Sequence, residues 1–194
     1  MAGALDLLIL ELPDDAAWRD WLDANQARSP GVWLRIAKKG APNSTVTQAA
    51  AIDEAVCFGW IDGQIRRHDE HFYLQRFTPR RSRSRWSAIN RDRARRLIAE
   101  DRMKAAGLAA YQAAMADGRI DDAYAPASKA TVPEDFQAAL QNCPEAGEFF
   151  STLGSGACYS FLYRLHHTTG PDRRAARIAD YIELLRQGKT LARD

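Results

Sequence analysis

The N-terminal two-thirds of the chain mixes two hydrophobic periods. Apolar residues cluster over 5–12 and alternate over 32–37, which is typical of strands, whereas the alanine-rich stretch 47–57 has a helical period. Thr47 and Ser87 each precede such a helical stretch and are expected to be N-caps. The predicted elements are strands over 5–12, 32–37, 60–66 and 72–77, and helices after Pro13, from Thr47 to Cys57, from Ser87 and over 105–116.

The C-terminal third predicts helices only, over residues 134–141, 145–153, 156–167 and 172–187. The fold class is therefore α+β, with a small mostly antiparallel sheet and flanking helices, followed by an all-helical C-terminal region. We divide the chain into an α+β domain, residues 1–125, and a helical region, residues 126–194.

Three helices have inward stripes that the period of 3.6 residues predicts. The helix before residue 30 is expected to bury Trp18, Trp21 and Leu22. The helix that begins at Ser87 is expected to bury Ile89, Ala94, Leu97 and Ile98, and the last helix Ala175, Ile178, Ala179, Ile182 and Leu185.

Composition indicates an ordinary globular protein of 194 residues, 46% hydrophobic and 27% charged. Its three widely spaced cysteines predict neither a disulfide framework nor a zinc site, and Cys57 and Cys158 have apolar neighbours typical of buried thiols. No apolar run is long enough to span a bilayer, and the first 15 residues lack the features of a signal peptide. We therefore expect a cytoplasmic location.

Charge changes this picture, because residues 64–96 contain 11 arginines and only 3 acidic residues, a net charge of +8. The whole chain carries +2, so the remaining residues carry −6. Gathering like charges costs self-repulsion unless anions or internal carboxylates offset them. The segment is thus expected to bind an anion or to form many internal ion pairs.

A candidate anion site lies where the strand over 72–77 leads into the helix that begins at Ser87. Arginine forks grip phosphates in pairs, and a helix N-terminus offers free N–H groups. In this hypothesis arginines hold the anion, hydroxyls and the helix start receive it, a tryptophan stacks on it, and Asp62 orients an arginine or contacts the ligand. The predicted site residues are Trp60, Asp62, Arg76, Thr78, Arg80, Arg81, Trp86, Ser87 and Asn90.

The alternative is a solvated charged loop whose arginines pair with Asp53, Glu54 and Asp62. Asp62 or Asp53 is also a candidate general base, although structural ion pairs are commoner than catalytic ones. The sequence of residues 68–71, His-Asp-Glu-His, matches no metal motif and predicts an exposed turn. No nucleotide-fold, hydrolase or zincin motif is present, so no cofactor, metal or catalytic residue is assigned.

Several phrases of the chain resemble the YdeI/OmpD-associated family, also called bacteriocin-protection or OmdA-like proteins. They include FGWIDG at residues 58–63, RFTPR at 76–80, and Trp86, Ser87 and Asn90, with YSFLYRLHHT near the end. The resemblance implies a role in resistance to bacteriocins or cationic peptides and an association with an outer-membrane porin. It implies no catalytic residues.

The leading hypothesis is a cytoplasmic protein that binds a phosphorylated small molecule, a nucleotide or a nucleic acid. One alternative is a stress or antimicrobial-peptide resistance factor that acts through a protein partner, which predicts an exposed apolar patch. The other is an enzyme that uses Asp62 or Asp53 in the same cleft, which predicts a perturbed carboxylate in an enclosed pocket.

Overall fold

The chain forms two compact units, Met1–Ala123 and Tyr124–Asp194, in a computed structural model that describes residues 7–191. Residues 5 and 6 of the predicted first strand and the predicted features of the N-terminus before Leu7 lie outside the described residues. Within residues 7–191, no helix combines the length and the apolar character that crossing a membrane requires.

The first unit mixes strands and helices, as the two hydrophobic periods predict. Asp14 caps the first helix by accepting from the Ala17 backbone N–H at 2.8 Å, and Thr47 caps the second by accepting from Ala50 N–H at 3.3 Å. The elements are β1 (Leu8–Leu10), α1 (Asp15–Asn25), β2 (Val32–Ala37), α2 (Gln48–Cys57), β3 (Trp60–Arg67), β4 (Phe72–Pro79), α3 (Ala88–Ala99) and α4 (Ala105–Ala116).

The four strands form one sheet in the order β1-β2-β4-β3. β1 pairs with β2 in parallel, because α1 carries the chain back to the start of the next strand. β4 pairs antiparallel with both β2 and β3, and the hairpin between β3 and β4 has a register shift between Asp62 and Ile65. The predicted α+β class with a mostly antiparallel sheet is confirmed, and the single parallel pair makes the sheet mixed.

One face of the sheet supports the main core of this unit. Trp18 and Leu22 of α1 and the alanines of α2 pack on Val32, Leu34 and Phe77 of the sheet. The indole N–H of Trp18 donates to the carbonyl of Ala51 at 3.0 Å, which ties α1 to α2. α3 and α4 add small and aromatic residues to the same cluster. The opposite face of the sheet, called the second sheet face below, carries Trp33, Phe72 and Leu74, which are buried although they lie outside this cluster.

Two of the predicted inward stripes need correction. On α3, Ala94 and Leu97 are buried as predicted, whereas Ile89 and Ile98 are 52% and 36% exposed and Asn90 is buried. Adjacent helix positions differ by about 100°, so the residue beside each isoleucine takes the buried position. On the last helix (Pro171–Arg186), Ala175 and Ala179 are exposed, and the buried residues are Ile178, Tyr181 and Leu185.

Over residues 124–191 the elements of the second unit are all helices, and they have their own core. Phe136 and Phe161 are fully buried, and Phe161 meets the ring of Tyr181 edge to face at a centroid distance of 5.0 Å. Its elements are a short 3₁₀ helix (Ala127–Lys129), α5 (Glu134–Gln141), α6 (Pro144–Thr152), α7 (Ser155–His166) and α8 (Pro171–Arg186).

The burial that the sequence analysis expects of two cysteines is found for Cys57 and not for Cys158. All three cysteines are free thiols, and Cys57 is buried in the core of the first unit, where burial raises the pKa of its thiol to about 11. Cys158 is only half-buried, and its Sγ contacts the carbonyl of Leu153 at 3.5 Å.

Candidate functional site

Arginines and aromatic rings share the face of the sheet that lies opposite the main core. Along a strand, successive side chains point to opposite faces, so Trp33 and Arg76, which are register partners, lie across from the core residues Val32 and Phe77. Trp33 is only 3% exposed, although it is not part of the main core cluster. The guanidinium of Arg66 lies 4.3 Å from the centre of the Trp33 ring and covers it.

A second guanidinium on this face covers a ring and is also fixed by carboxylates. Arg35 lies 3.8 Å from the centre of the Phe72 ring. Its two terminal nitrogens donate to Glu11 and to Asp69, the latter at 3.1 Å. The charge of Arg35 is therefore offset and its plane is held in one orientation.

Arg66 and Arg76 differ from Arg35, because within residues 7–191 neither makes an ion pair. Arg66 is the register partner of Leu74, two residues before Arg76 on β4, so the two arginines are diagonal neighbours. The Nε atom of Arg76 is buried and has no hydrogen-bond acceptor in the described structure. Two like charges without counter-ions thus lie beside Trp33.

The arginines of α3 have the internal partners that the alternative hypothesis requires. Asp53 accepts from Arg93 Nε and from Arg96 Nη2, each at 2.6 Å. Arg91 donates to Asp92 at 2.8 Å. Since α3 and its surroundings neutralise these cations, this half of the basic segment has little charge left for a ligand.

The loop between β4 and α3 differs from α3 in how its arginines are paired. Its backbone forms a turn in which Ser84 Oγ accepts from Arg81 N–H at 2.9 Å, and the guanidinium of Arg80 lies 3.7 Å from the Trp86 ring centre. Arg81, Arg83 and Arg85 are exposed, and none forms an ion pair with a described residue. The exposure of these three arginines agrees with the solvated loop of the alternative hypothesis, whereas their expected pairing with acids is not found among the described residues.

The two tryptophans of the predicted site are core residues. Trp60 is buried and meets Trp18 and Trp21 edge to face, at centroid distances of 6.2 and 5.9 Å. Trp86 is buried between Tyr111, at 5.8 Å, and the guanidinium of Arg80. Their rings therefore pack against other protein groups, so a ligand would have to stack on groups other than these two tryptophans.

The sheet separates the predicted site residues into two groups. Asp62 is the register partner of Phe77 and lies on the core side, whereas Arg76 and Thr78 alternate with Phe77 and lie on the other side. Asp62 accepts from the side-chain amides of Asn90 at 3.3 Å and Gln75 at 3.5 Å. Asp62 therefore cannot orient Arg76, and the predicted single cleft is wrong in this respect.

Neither candidate base has the setting of a catalytic carboxylate. Asp53 is held by two guanidinium groups, and Asp62 by two amides. The deeply buried carboxylate of this unit is Glu54, which is 1% exposed and pairs with Arg19 at 2.7 Å and Arg102 at 2.5 Å. Burial acts to raise the pKa of Glu54, but hydrogen bonds from the two arginines outweigh it and hold this pKa below its ordinary value.

Ser87 is the N-cap of α3, since its Oγ accepts from the backbone N–H of Asn90 at 3.1 Å. We expect Ser87→Ala to lower the free energy of unfolding of the first unit by about 1 kcal/mol, because one backbone donor loses its acceptor. Ser87→Asp, which keeps a capping oxygen, should restore most of that loss. Urea denaturation followed by tryptophan fluorescence measures both; equal losses in the two variants would contradict the capping role.

The sequence analysis missed two residues of the second sheet face, Trp33 and Arg66. The alternation of residues 32–37 places Trp33 opposite the apolar positions of its strand, which is a readable signal. The pairing of β2 with β4, which brings Trp33 beside Arg66 and Arg76, has no such local signal.

The hairpin turn before β4 has a structural explanation. Asp69 Oδ1 accepts from the backbone N–H groups of His71 and Phe72, both at 2.8 Å, and its other oxygen receives Arg35. This acidic residue thus closes the turn and fixes the arginine that covers Phe72.

The second unit contains an apolar hollow of about 720 Å³ between α5 and α8. Ala139 of α5 and Ile178, Ala179 and Ile182 of α8 line it, with the ion pair of Asp135 and Arg174 at its edge. Such a hollow is the exposed apolar feature that a protein-partner role predicts.

Comparisons with known proteins match the two parts of the chain separately. Residues 10–110 match a family model described as a domain of unknown function (DUF8412), and residues 129–188 match one described as bacteriocin-protection, YdeI or OmpD-associated. No curated protein and no solved structure gave a match. The predicted resemblance is confirmed over residues 129–188, whereas the FGWIDG and RFTPR phrases lie in the other match. The chain therefore belongs to the DUF8412 family, and its residues 129–188 resemble the bacteriocin-protection, YdeI or OmpD-associated family.

Proposed function

We propose that the first unit binds a phosphate-bearing ligand: a phosphorylated small molecule, a nucleotide or a nucleic acid. The proposed binding surface comprises Arg66 and Arg76 of the second sheet face and the loop arginines Arg81, Arg83 and Arg85. One observation carries this proposal: these five arginines form no ion pair with residues 7–191, whereas the α3 arginines Arg91, Arg93 and Arg96 do.

Physical reasoning connects this difference to binding. Like charges held close together raise the energy of the folded chain, and a bound anion relieves that repulsion. Arg76 adds a specific cost, because its buried Nε lacks an acceptor that a phosphate oxygen would supply. Thr78 lies on the same face two residues further and offers a hydroxyl to the same ligand.

The other residues predicted for the site stabilise the structure next to this surface. Arg80 and Trp86 pack together and fix the start of the loop, and Ser87 and Asn90 secure the first turn of α3. Trp60 belongs to the core below the sheet. We place the function in the cytoplasm, where phosphorylated metabolites and nucleic acids are abundant.

The test is titration calorimetry with pyrophosphate, a nucleoside triphosphate and a short oligonucleotide across a series of salt concentrations. We expect binding of at least one ligand that weakens steadily as salt rises. Arg76→Gln should weaken it about tenfold, the equivalent of one charge-assisted hydrogen bond of about 1.4 kcal/mol. Arg91→Gln is the matched control, because Asp92 already neutralises Arg91, and its affinity should equal that of the wild type. Absence of binding at low salt to all three ligands would reject the proposal.

The apolar hollow of the second unit favours a second candidate, a bacteriocin or stress resistance factor that acts through a protein partner. Its lining of Ala139, Ile178 and Ala179 suits the apolar face of an amphipathic helix. If this candidate is right, Ala179→Glu should abolish the survival advantage that the protein gives to bacteriocin-treated cells. Arg76→Gln should leave the advantage intact, and the opposite pattern would assign resistance to the first unit.

A further inference from the structure

We propose that the ligand of this surface is single-stranded nucleic acid, which lies along β4 with its phosphates on the free arginines and its bases on fixed guanidinium planes. This inference rests on the proposed function and narrows its ligand to one class. Three observations support it: the order of the unpaired arginines along β4, the arginines stacked on aromatic rings, and the ion pairs that offset the charge of α3.

The arginines that form no ion pair follow one another along β4 and into the loop after it. Arg66 lies opposite Leu74 of β4, Arg76 follows on β4, and Arg81 comes just after the strand ends at Pro79. At a strand rise of about 3.3 Å per residue, the stretch from Leu74 to the end of the strand at Pro79 spans roughly 16 Å. Over about that length an extended nucleic-acid strand presents several phosphates, whereas one small ligand presents its phosphates at a single place. This row of arginines, which we call the track, therefore fits a nucleic-acid strand better than it fits one small ligand.

The second sheet face also carries guanidinium planes, on which we expect bases to stack. Arg66 and Arg35 each have one face of the guanidinium against an aromatic ring, and both side chains are half-buried rather than covered. Nucleic-acid bases stack on arginine planes as well as on aromatic rings. Arg35 is held by Glu11 and Asp69, so it offers a fixed plane with its charge already offset.

The charge of α3 argues against a duplex as the ligand. A helix that enters the major groove normally presents free basic side chains to phosphates and base edges. On α3 the basic side chains of Arg91, Arg93 and Arg96 are paired with Asp92, Asp53 and Glu100. Arg66, Arg76, Arg81, Arg83 and Arg85, which form no ion pair with a described residue, lie on a sheet face and in a loop, a surface typical of single-strand binding.

Fluorescence anisotropy of labelled oligothymidylates of 2, 4, 8 and 16 nucleotides tests this inference on the full chain. We expect affinity to rise with length until the oligonucleotide fills the track and then to level off. The 16-mer should bind at least tenfold more tightly than a duplex of equal length. Inorganic polyphosphate of matched charge should bind more weakly than the oligonucleotide, because it has no bases to stack.

Two variants of one residue separate charge from stacking. Arg66→Gln should weaken binding of the 16-mer about tenfold and reduce the salt dependence by about one phosphate contact. Arg66→Lys should keep the salt dependence but lose the preference for the oligonucleotide over polyphosphate, because an ammonium group has no plane. Arg91→Gln should bind like the wild type, and thermal unfolding should confirm that all three variants are folded.

The outcomes distinguish the inference from the function on which it rests. Binding of pyrophosphate as tight as binding of the 16-mer, or a polyphosphate that matches the oligonucleotide, would overturn the single-strand assignment and leave anion binding intact. Preference for the duplex would overturn it as well. No binding of any of these anions would overturn both proposals.

Discussion

Replacing both arginines that contact Glu54, in the variant Arg19→Met/Arg102→Met, should cost about 3–5 kcal/mol of unfolding free energy at pH 7. Glu54 is 1% exposed, and the two guanidinium groups pair with its carboxylate at 2.7 and 2.5 Å. Their removal leaves a buried carboxylate without a cation, whereas the half-exposed arginines would be hydrated if Glu54 were removed instead. Urea denaturation followed by tryptophan fluorescence measures this loss for the first unit, because all five tryptophans precede residue 87.

The same variant should change how stability depends on pH. In the wild type the pKa of Glu54 is lowered from 4.5, so its contribution is fully present above pH 4.5 and is lost as pH falls through the lower folded value. Without the arginines, burial raises this pKa, and the variant loses stability as pH rises above about 4.5. The difference between the two proteins should therefore be smaller at pH 4 than at pH 7.

Arg91→Met is the control for this experiment, because Arg91 pairs with the exposed Asp92 on the helix surface. Its cost should stay below about 1 kcal/mol. A double variant that loses no more than this control would show that water already solvates Glu54.

Gly107→Ala should destabilise the first unit by about 3 kcal/mol, the second large effect. A Cβ at this position would lie 2.2 Å from the carbonyl oxygen of Cys57, a backbone atom that no side-chain rotation can move. Lys104 N–H donates to the same carbonyl at 3.0 Å, so the end of α2 and the start of α4 are fixed together. Alanine's better helix propensity would offset only about 1 kcal/mol of the strain.

Gly63→Ala is the matched glycine in the same unit, since its Cβ would meet nothing closer than 3.7 Å. We expect its unfolding free energy to lie within about 0.5 kcal/mol of the wild type. Tryptophan-detected urea unfolding compares the two variants directly, and similar values for both would mean that α2 and α4 separate at little cost.

Local chemistry explains why much of the fold could be predicted from sequence. The strand Val32–Ala37 and the helix Ala105–Ala116 have the predicted bounds, because alternation and alanine content act within the segment itself. The caps Thr47 and Ser87 are confirmed for the same reason, since a cap bonds to a donor three residues away.

Contacts between distant parts of the chain explain what the sequence could not show. Arg93 meets Asp53 across 40 residues, and Arg35 meets Asp69 across 34, so the charge total alone could not tell which arginines are neutralised. Strand register decided that Asp62 and Arg76 lie on opposite faces of the sheet. Each residue was a reasonable candidate, but the predicted cleft joined groups that the sheet separates.

The most direct test of the account is the reactivity of each arginine toward phenylglyoxal, measured by mass spectrometry with and without a saturating anionic ligand such as pyrophosphate. Without ligand, we predict that Arg81, Arg83 and Arg85 react faster than the paired Arg93. With ligand, Arg66, Arg76 and these loop arginines should be protected several-fold, and Arg93 should be unchanged. Protection that is absent, or that appears on Arg93 and Arg96 instead, would contradict the claim that the arginines without internal partners form the binding surface.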